Sequence, residues 1–120
     1  MRVCGGNAEV REKDIEKILV AEVKKLGGRA YKWTSPGNDG VPDRIVIFPG
    51  RAPVFVELKT DTGKLSPLQK VQIDRLQQLG QKVYVTYGIS GVSRFFRKEG
   101  FEETSRSLDH RYGSREGGKT

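Results

Sequence analysis

Two acidic side chains and a lysine lie at the ends of neighbouring apolar segments near the middle of the chain. Asp43 precedes the segment RIVIF, and Glu57 and Lys59 end the segment PVFVELK. Because side chains alternate along a strand, Glu57 and Lys59 share one face. A tight connection through PGRA makes the two strands antiparallel, which sets Asp43 beside the end of the strand that carries Glu57. The sequence therefore predicts two carboxylates and an ammonium group at one end of a hairpin.

This set of groups is suited to binding a divalent metal ion. Mg²⁺ prefers oxygen ligands and retains several waters, so one or two carboxylates together with substrate phosphate oxygens are sufficient. Asp43 and Glu57 are the predicted ligands, and the carbonyl oxygen of Leu58 is a candidate for a further one. Lys59 would orient or help to deprotonate the nucleophile and offset the charge of the transition state. The predicted reaction is metal-assisted hydrolysis of a phosphodiester bond.

A purely structural interpretation of the same residues stays open. Asp43 would begin its strand as an Asx turn, and Glu57 would pair with Lys59 on a solvated face of the sheet. In that case none of the three side chains would have a catalytic role.

Alternating helix and strand patterns surround these residues. A helical pattern over 10–26 ends at Gly27-Gly28, and a second begins at Ser66-Pro67 and ends at Gly80. A short third helix is predicted at 90–101. Four strands are predicted at 29–34, 44–48, 53–59 and 82–88. This order predicts a single mixed β-sheet flanked by helices, in the α/β to α+β range.

We expect one domain over residues 1–101, followed by a polar tail over 102–120. The tail is rich in glycine and balanced in charge, and its apolar surface is too small to offset the entropy of ordering it. It is therefore predicted to be flexible.

The composition limits the classes of site and partner. The chain has 22 Lys and Arg against 15 Asp and Glu, a formal charge of +7, and the whole excess precedes Phe101. This balance favours a polyanionic partner bound by the folded part. The chain has one cysteine, Cys4, so it predicts no internal disulfide and no cysteine-based zinc site. Its one histidine, His110, lies in the polar tail and does not suggest a histidine-based triad or metal cluster. No apolar segment approaches the roughly 20 residues of a membrane span, and we expect a cytoplasmic protein that does not contact membranes.

Four short pieces in a fixed order resemble a known family. GVPD, a strand pair, ELK and then SPLQ at the start of the next helix resemble the PD-(D/E)xK nuclease superfamily and, within it, the VRR-NUC family of virus-type replication-repair nucleases. The resemblance extends from about Glu9 to Gly88. It implies a restriction-endonuclease-like αβββαβ core with Asp43, Glu57 and Lys59 as active-site residues and Mg²⁺, with Mn²⁺ as a substitute, as the cofactor.

The resemblance also carries expectations about substrate and assembly. Standalone members of this size resemble enzymes that resolve four-way DNA junctions as homodimers, so the expected partners are branched DNA and a second copy of the chain. The expected location is the cytoplasm of a bacterial or virus-infected bacterial cell. A flap-cleaving or restriction-like nuclease with the same site, and a basic DNA-binding module without catalysis, remain alternatives.

Members of the superfamily carry a glutamate on the first helix that faces the metal. Glu12 and Glu16 lie on one margin of the apolar stripe, and Glu22 falls near its centre. Glu16, eleven residues before Gly27, also matches the spacing in similar archaeal junction-resolving enzymes. Glu16 is therefore the predicted metal-facing residue, with Glu12 as the second candidate and Glu22 as a partly buried pairing residue.

Gln69 completes the family pattern on the second helix, where its amide is expected near the nucleophilic water or a phosphate. The stretch from Ser66 to Gln69 is also a capping box, in which the glutamine reaches back to the Ser66 backbone. The two roles are compatible. Candidate phosphate contacts elsewhere are Lys64, Lys70, Arg44 and Arg51.

Overall fold

The sheet is built from four strands that are adjacent in the order of the chain. In the computed structural model, which describes residues 10–113, the strands are β1 (Arg29–Lys32), β2 (Arg44–Ile47), β3 (Val54–Lys59) and β4 (Val83–Tyr87). β1, β2 and β3 pair antiparallel, whereas β3 and β4 pair parallel. The predicted single mixed sheet is confirmed, and the parallel pair is the one whose strands are linked by a helix, as a crossover requires.

Three helices surround the sheet. They are α1 (Glu12–Lys25), α2 (Pro67–Gln78), which links β3 to β4, and α3 (Gly88–Lys98), which follows β4 directly. α1 and α3 pack against one face of the sheet and bury the core, which includes Leu19, Val56 and Phe96, each with no exposed surface. α2 lies apart from this core and buries only Ile73 among its own residues.

The domain continues beyond the boundary predicted at residue 101. Residues Glu102–Leu108 form a fourth helix, α4, and Asp109–Gly113 form a π-helical turn. Leu108 has no exposed surface and packs in the main core. The prediction of a flexible tail is therefore wrong for 102–113, and residues 114–120 lie outside the described part of the chain, as does Cys4.

Polar contacts with distant residues explain why the segment 102–113 is helical although its composition predicted a flexible tail. The Ser93 hydroxyl of α3 donates to Asp109 Oδ1 at 2.6 Å, and Arg97 pairs with Asp109 at 3.1 Å. Arg111 donates to the Glu22 carboxylate of α1 at 2.8 Å. These partners are 12 to 89 residues away in sequence, so the stabilising contacts cannot be seen in the local pattern.

The helices of residues 10–113 are each too short or too polar to cross a membrane. His110 is exposed on the π-helical turn.

Candidate metal and nucleic-acid site

The register of the central hairpin places Asp43 and Glu57 opposite each other. Arg44 is paired with Val56 in the β2–β3 ladder, so the next antiparallel pair is Asp43 and Glu57. Residues directly opposite each other point to the same face, with Cβ atoms about 4.5–5.5 Å apart. The structure thus brings the two predicted carboxylates together at the end of the hairpin.

Two backbone contacts fix Asp43 in place. Its Oδ2 accepts a hydrogen bond from the Leu58 N–H at 2.8 Å, and its carbonyl oxygen accepts one from the Trp33 N–H at 3.0 Å. The carboxylate therefore extends the ladder past the last backbone pair of β2 and β3. The N–H and C=O of one strand residue point towards the same neighbour, so the Leu58 carbonyl also faces the Asp43 side of β3, where it was predicted to serve as a ligand.

Glu57 is a buried carboxylate with one unused oxygen. The residue is 1% exposed, and its Oε2 accepts a hydrogen bond from Gln69 Nε2 at 2.9 Å. Lys59 Nζ lies 3.5 Å from the same oxygen. Oε1 is buried without any hydrogen-bond partner. Burying a polar atom without a partner destabilises the folded state. A cation bound between Glu57 and Asp43 would supply the missing partner.

Burial raises the pKa values of the carboxylates at the site, and neighbouring carboxylates raise them further. Burial, followed by the charge of Asp43, raises the pKa of Glu57 to about 7. Burial also raises the pKa of Asp43, against the hydrogen bond from Leu58. The pKa of Glu12 is raised by burial and then by Asp43. Carboxylates this close together favour a bound cation.

The donor set fits a hard divalent cation that keeps part of its water shell. Two opposed carboxylates and a backbone carbonyl supply oxygen ligands. Within residues 10–113, no group of three or more acidic, histidine or cysteine side chains is placed so that it could hold a metal ion by itself. This arrangement suits Mg²⁺ or Mn²⁺ shared with a substrate phosphate better than a fully protein-enclosed ion.

Gln69 forms the predicted capping box, and the amide end of its side chain also contacts Glu57. Its Oε1 accepts a hydrogen bond from the Ser66 N–H at 2.8 Å, and its own N–H donates to Ser66 Oγ at 3.1 Å. These contacts are the capping box at the start of α2. The Nε2 end of the same side chain reaches Glu57, so α2 is anchored to the site through one residue.

Gly40, in the GVPD loop, is a site residue whose importance the sequence analysis missed. Its φ is +92°, and a Cβ at this position would lie 2.7 Å from the Leu68 backbone and 2.9 Å from the Gln69 nitrogen. A side chain here would push the loop away from the start of α2. Glycine therefore lets the segment that carries Asp43 pass close to the helix that carries Gln69.

Glu12 and Glu16, the two candidates on α1, differ in whether their carboxylates already have a partner. Glu16 lies near enough to raise the pKa of Asp43, but its carboxylate is held by Arg44, with Nη2 at 2.8 Å and Nε at 2.9 Å. The pKa of Glu12 responds to the charges of Asp43 and Lys59. Glu12 carries no ion pair within residues 10–113, so its carboxylate is uncommitted.

Glu22 lies outside the site, as the pairing interpretation predicted. It is 6% exposed and binds Lys25 at 3.2 Å and Arg111 at 2.8 Å. Burial raises its pKa, but the hydrogen bonds from these two cations outweigh it and leave the pKa below its usual value.

Two of the four residues predicted to contact phosphates, Arg44 and Arg51, have hydrogen-bond partners within the protein. Arg44 donates to Ala30 O at 2.9 Å as well as to Glu16. Arg51, at the turn end of the hairpin, donates to Glu99 O at 2.8 Å and lies over the Phe101 ring at 4.6 Å. Both guanidinium groups therefore have acceptors within the protein, and their phosphate contacts stay predictions. Lys64 and Lys70 are exposed and make no ion pair within the described residues.

Comparison with known proteins identifies the architecture. The family model described as "VRR-NUC domain" matches residues 13–89. "Putative nuclease p44" of Acyrthosiphon pisum secondary endosymbiont phage 1 is 50% identical over 76 residues, which cover 63% of this chain and 82% of that protein.

Two solved structures have the same fold. One titled "VRR_NUC domain" superposes with a TM-score of 0.61 at 27% identity and covers 84% of this chain and 97% of the other. A second, titled "VRR_NUC domain protein", gives a TM-score of 0.63 at 20% identity, with 75% and 88% of the two chains covered.

Proposed function

This chain belongs to the VRR-NUC family of nucleases, and from that premise we propose that it is a divalent-metal-dependent DNA endonuclease that acts on four-way junctions. The observation that carries the proposal is the buried Glu57, whose Oε1 lacks a partner and which lies opposite Asp43 in the hairpin register. A buried carboxylate oxygen without a partner, opposite a second carboxylate, is unfavourable for a purely structural site. It is the arrangement expected where a cation completes the chemistry.

The chain supplies the ligands and positions the reacting groups. Asp43, Glu57 and the Leu58 carbonyl would hold Mg²⁺ or Mn²⁺, with Glu12 on the helix side. When bound, the ion would supply Lewis-acid activation for phosphodiester hydrolysis. Lys59, 3.5 Å from Glu57, would orient the attacking water and offset negative charge on the phosphate. Gln69 holds the Glu57 carboxylate in position through its 2.9 Å hydrogen bond.

DNA would approach across a surface that has uncommitted cations. Lys64 and Lys70 are exposed on the segment and helix that follow β3, and Lys70 adjoins Gln69 in sequence. Contacts of these ammonium groups to phosphates would strengthen binding without selecting a sequence. This fits an enzyme that recognises the shape of its substrate.

A homodimer would provide the two active sites that symmetric cutting of a junction requires. Several apolar side chains that a partner could cover are exposed: Leu68 at 55%, Val71 at 48%, Leu79 at 69% and Tyr31 at 56%. Leu68 and Val71 are on α2, which buries only Ile73 among its own residues, and Leu79 is the C-cap of this helix. Exposed apolar area of this kind is typical of protein contact surfaces.

The decisive experiment offers the protein a four-way junction, a flap and a linear duplex, each with Mg²⁺, Mn²⁺ or EDTA. The proposal predicts paired, symmetric nicks in the junction with either metal and none in EDTA. Cleavage of all three substrates would replace it with a flap or restriction-like nuclease, and binding without cleavage under every metal would indicate a non-catalytic DNA-binding module. Gel filtration measures the dimer in the same preparation.

The two helix glutamates should respond differently to removal of their charge. Glu12→Gln is expected to lower cleavage about tenfold or more, because a group beside the metal is lost. Glu16→Gln is expected to act mainly on stability, because it breaks the 2.8 Å pair with Arg44. Cleavage rates and urea midpoints of the two variants measure this contrast. If Glu16→Gln lowered the cleavage rate more than Glu12→Gln did, Glu16 would be the glutamate that faces the metal.

A further inference from the structure

A groove of about 400 Å³ runs along α1 beside the candidate site. It is lined by Lys13, Glu16, Lys17, Val20, Ala21 and Arg44. Lys32 adjoins it, because Lys32 is opposite Arg44 in the β1–β2 ladder and opposite residues share a face of the sheet. The groove therefore has α1 on one side and the β1–β2 edge on the other.

The charge of this groove is positive and largely uncommitted. Arg44 and Glu16 neutralise each other at 2.8 Å. The three lysines, Lys13, Lys17 and Lys32, are exposed, and within residues 10–113 none of them lies at ion-pair distance from an acid. Three cations thus face solvent along one surface, and the groove carries no unpaired acid to repel a polyanion.

The groove adjoins the candidate site at Arg44. Arg44, which lines the groove, follows Asp43 directly in the chain. Lys13 and Lys17 are one helical turn apart, so their ammonium groups line the same side of α1 at a spacing of about 6 Å along its axis. A strand whose phosphate lay at Asp43 and Glu57 would pass these lysines as it left the site.

We infer that this groove binds the phosphodiester backbone of the DNA strand next to the bond that is cleaved, through Lys13, Lys17 and Lys32. The inference rests on the proposed nuclease function and adds a second anion site to it. The Arg44–Glu16 pair lines the groove, and Val20 and Ala21 add apolar surface without competing charge. The lysines position the substrate and take no part in the bond-breaking step.

The test measures binding of a fluorescent four-way junction in EDTA over a series of salt concentrations. Lys13→Ala/Lys17→Ala is expected to weaken binding about ten- to a hundredfold near 0.1 M salt and to reduce the slope of log affinity against log salt by about 1.8. Arg94→Ala/Lys98→Ala removes the same charge from exposed positions of α3, outside the groove, and is expected to keep the wild-type slope. Lys13→Arg/Lys17→Arg should bind like the wild type.

Equal losses in the two alanine double variants would overturn the inference, because they would show an effect of net charge alone. Unchanged binding in Lys13→Ala/Lys17→Ala would overturn it as well. A different result would defeat the proposed function: a wild-type protein that binds the junction through these lysines but does not cut it with Mg²⁺ or Mn²⁺. The two failures are therefore distinguishable.

Discussion

Asp43→Asn is expected to lower the rate of DNA cleavage about a thousandfold, which corresponds to roughly 4 kcal/mol of transition-state stabilisation. The asparagine oxygen can still accept the Leu58 N–H that Asp43 binds at 2.8 Å, so the hairpin end should keep its geometry. The substitution removes the negative charge opposite Glu57 and little else. Single-turnover cleavage with Mg²⁺, together with junction binding in EDTA, separates the loss of chemistry from a loss of affinity.

Asp74→Asn is the matched control for this variant. Asp74 is an exposed carboxylate on α2, whose only side-chain hydrogen bond within the described residues is with Gln78 at 2.9 Å. The Asp74→Asn variant should cleave DNA at the wild-type rate. If Asp43→Asn retained more than about a tenth of the wild-type rate, the carboxylate pair would not be the metal site, and the structural interpretation of the hairpin end would be preferred.

Stability in EDTA is expected to fall as the pH rises from 4.5 to 7, through Glu57. Its pKa is raised from 4.5 to about 7 by burial and by Asp43. A raised pKa in an acid means that the folded state holds the proton more tightly than the unfolded chain. The contribution of Glu57 to stability is therefore complete below pH 4.5 and is lost as the pH passes 7. The expected loss is about 2–3 kcal/mol.

Urea unfolding at a series of pH values, compared between the wild type and Glu57→Gln, isolates this contribution. The variant keeps an acceptor for Gln69 but cannot ionise, so it should lack this part of the pH dependence and exceed the wild type in stability at pH 8. Glu103→Gln, at an exposed position of α4, should behave like the wild type. Identical pH profiles for the wild type and Glu57→Gln would show that the burial of Glu57 carries no such cost.

Addition of Mg²⁺ or Mn²⁺ should also change the stability of the folded state. A cation that binds the ionised carboxylates stabilises the folded state by mass action, so Mg²⁺ or Mn²⁺ should raise the urea midpoint at pH 8 and have a smaller effect at pH 5, where Glu57 is protonated. This dependence links the stability experiment to the cleavage experiment, because both measure the charge state of one buried side chain.

The sequence by itself determined the hairpin and the groups at its end. Strand alternation fixes which side chains share a face, and the short connection between β2 and β3 fixes their register. Both are local properties, and they sufficed to bring Asp43, Glu57 and Lys59 together. The capping box at Ser66 could also be predicted from the sequence, because its two partners are three residues apart.

Only the tertiary structure decided which of the remaining charges are free. Glu16 and Glu12 are one turn apart on α1, and the difference between them is Arg44, 28 residues away in sequence. Arg51 is held by Glu99 across 48 residues, and the segment 102–113 is ordered by Ser93 and Glu22, which lie on other helices. The partners of long charged side chains are residues that folding brings close in space. Their spacing in the sequence does not show which partner each side chain will bind.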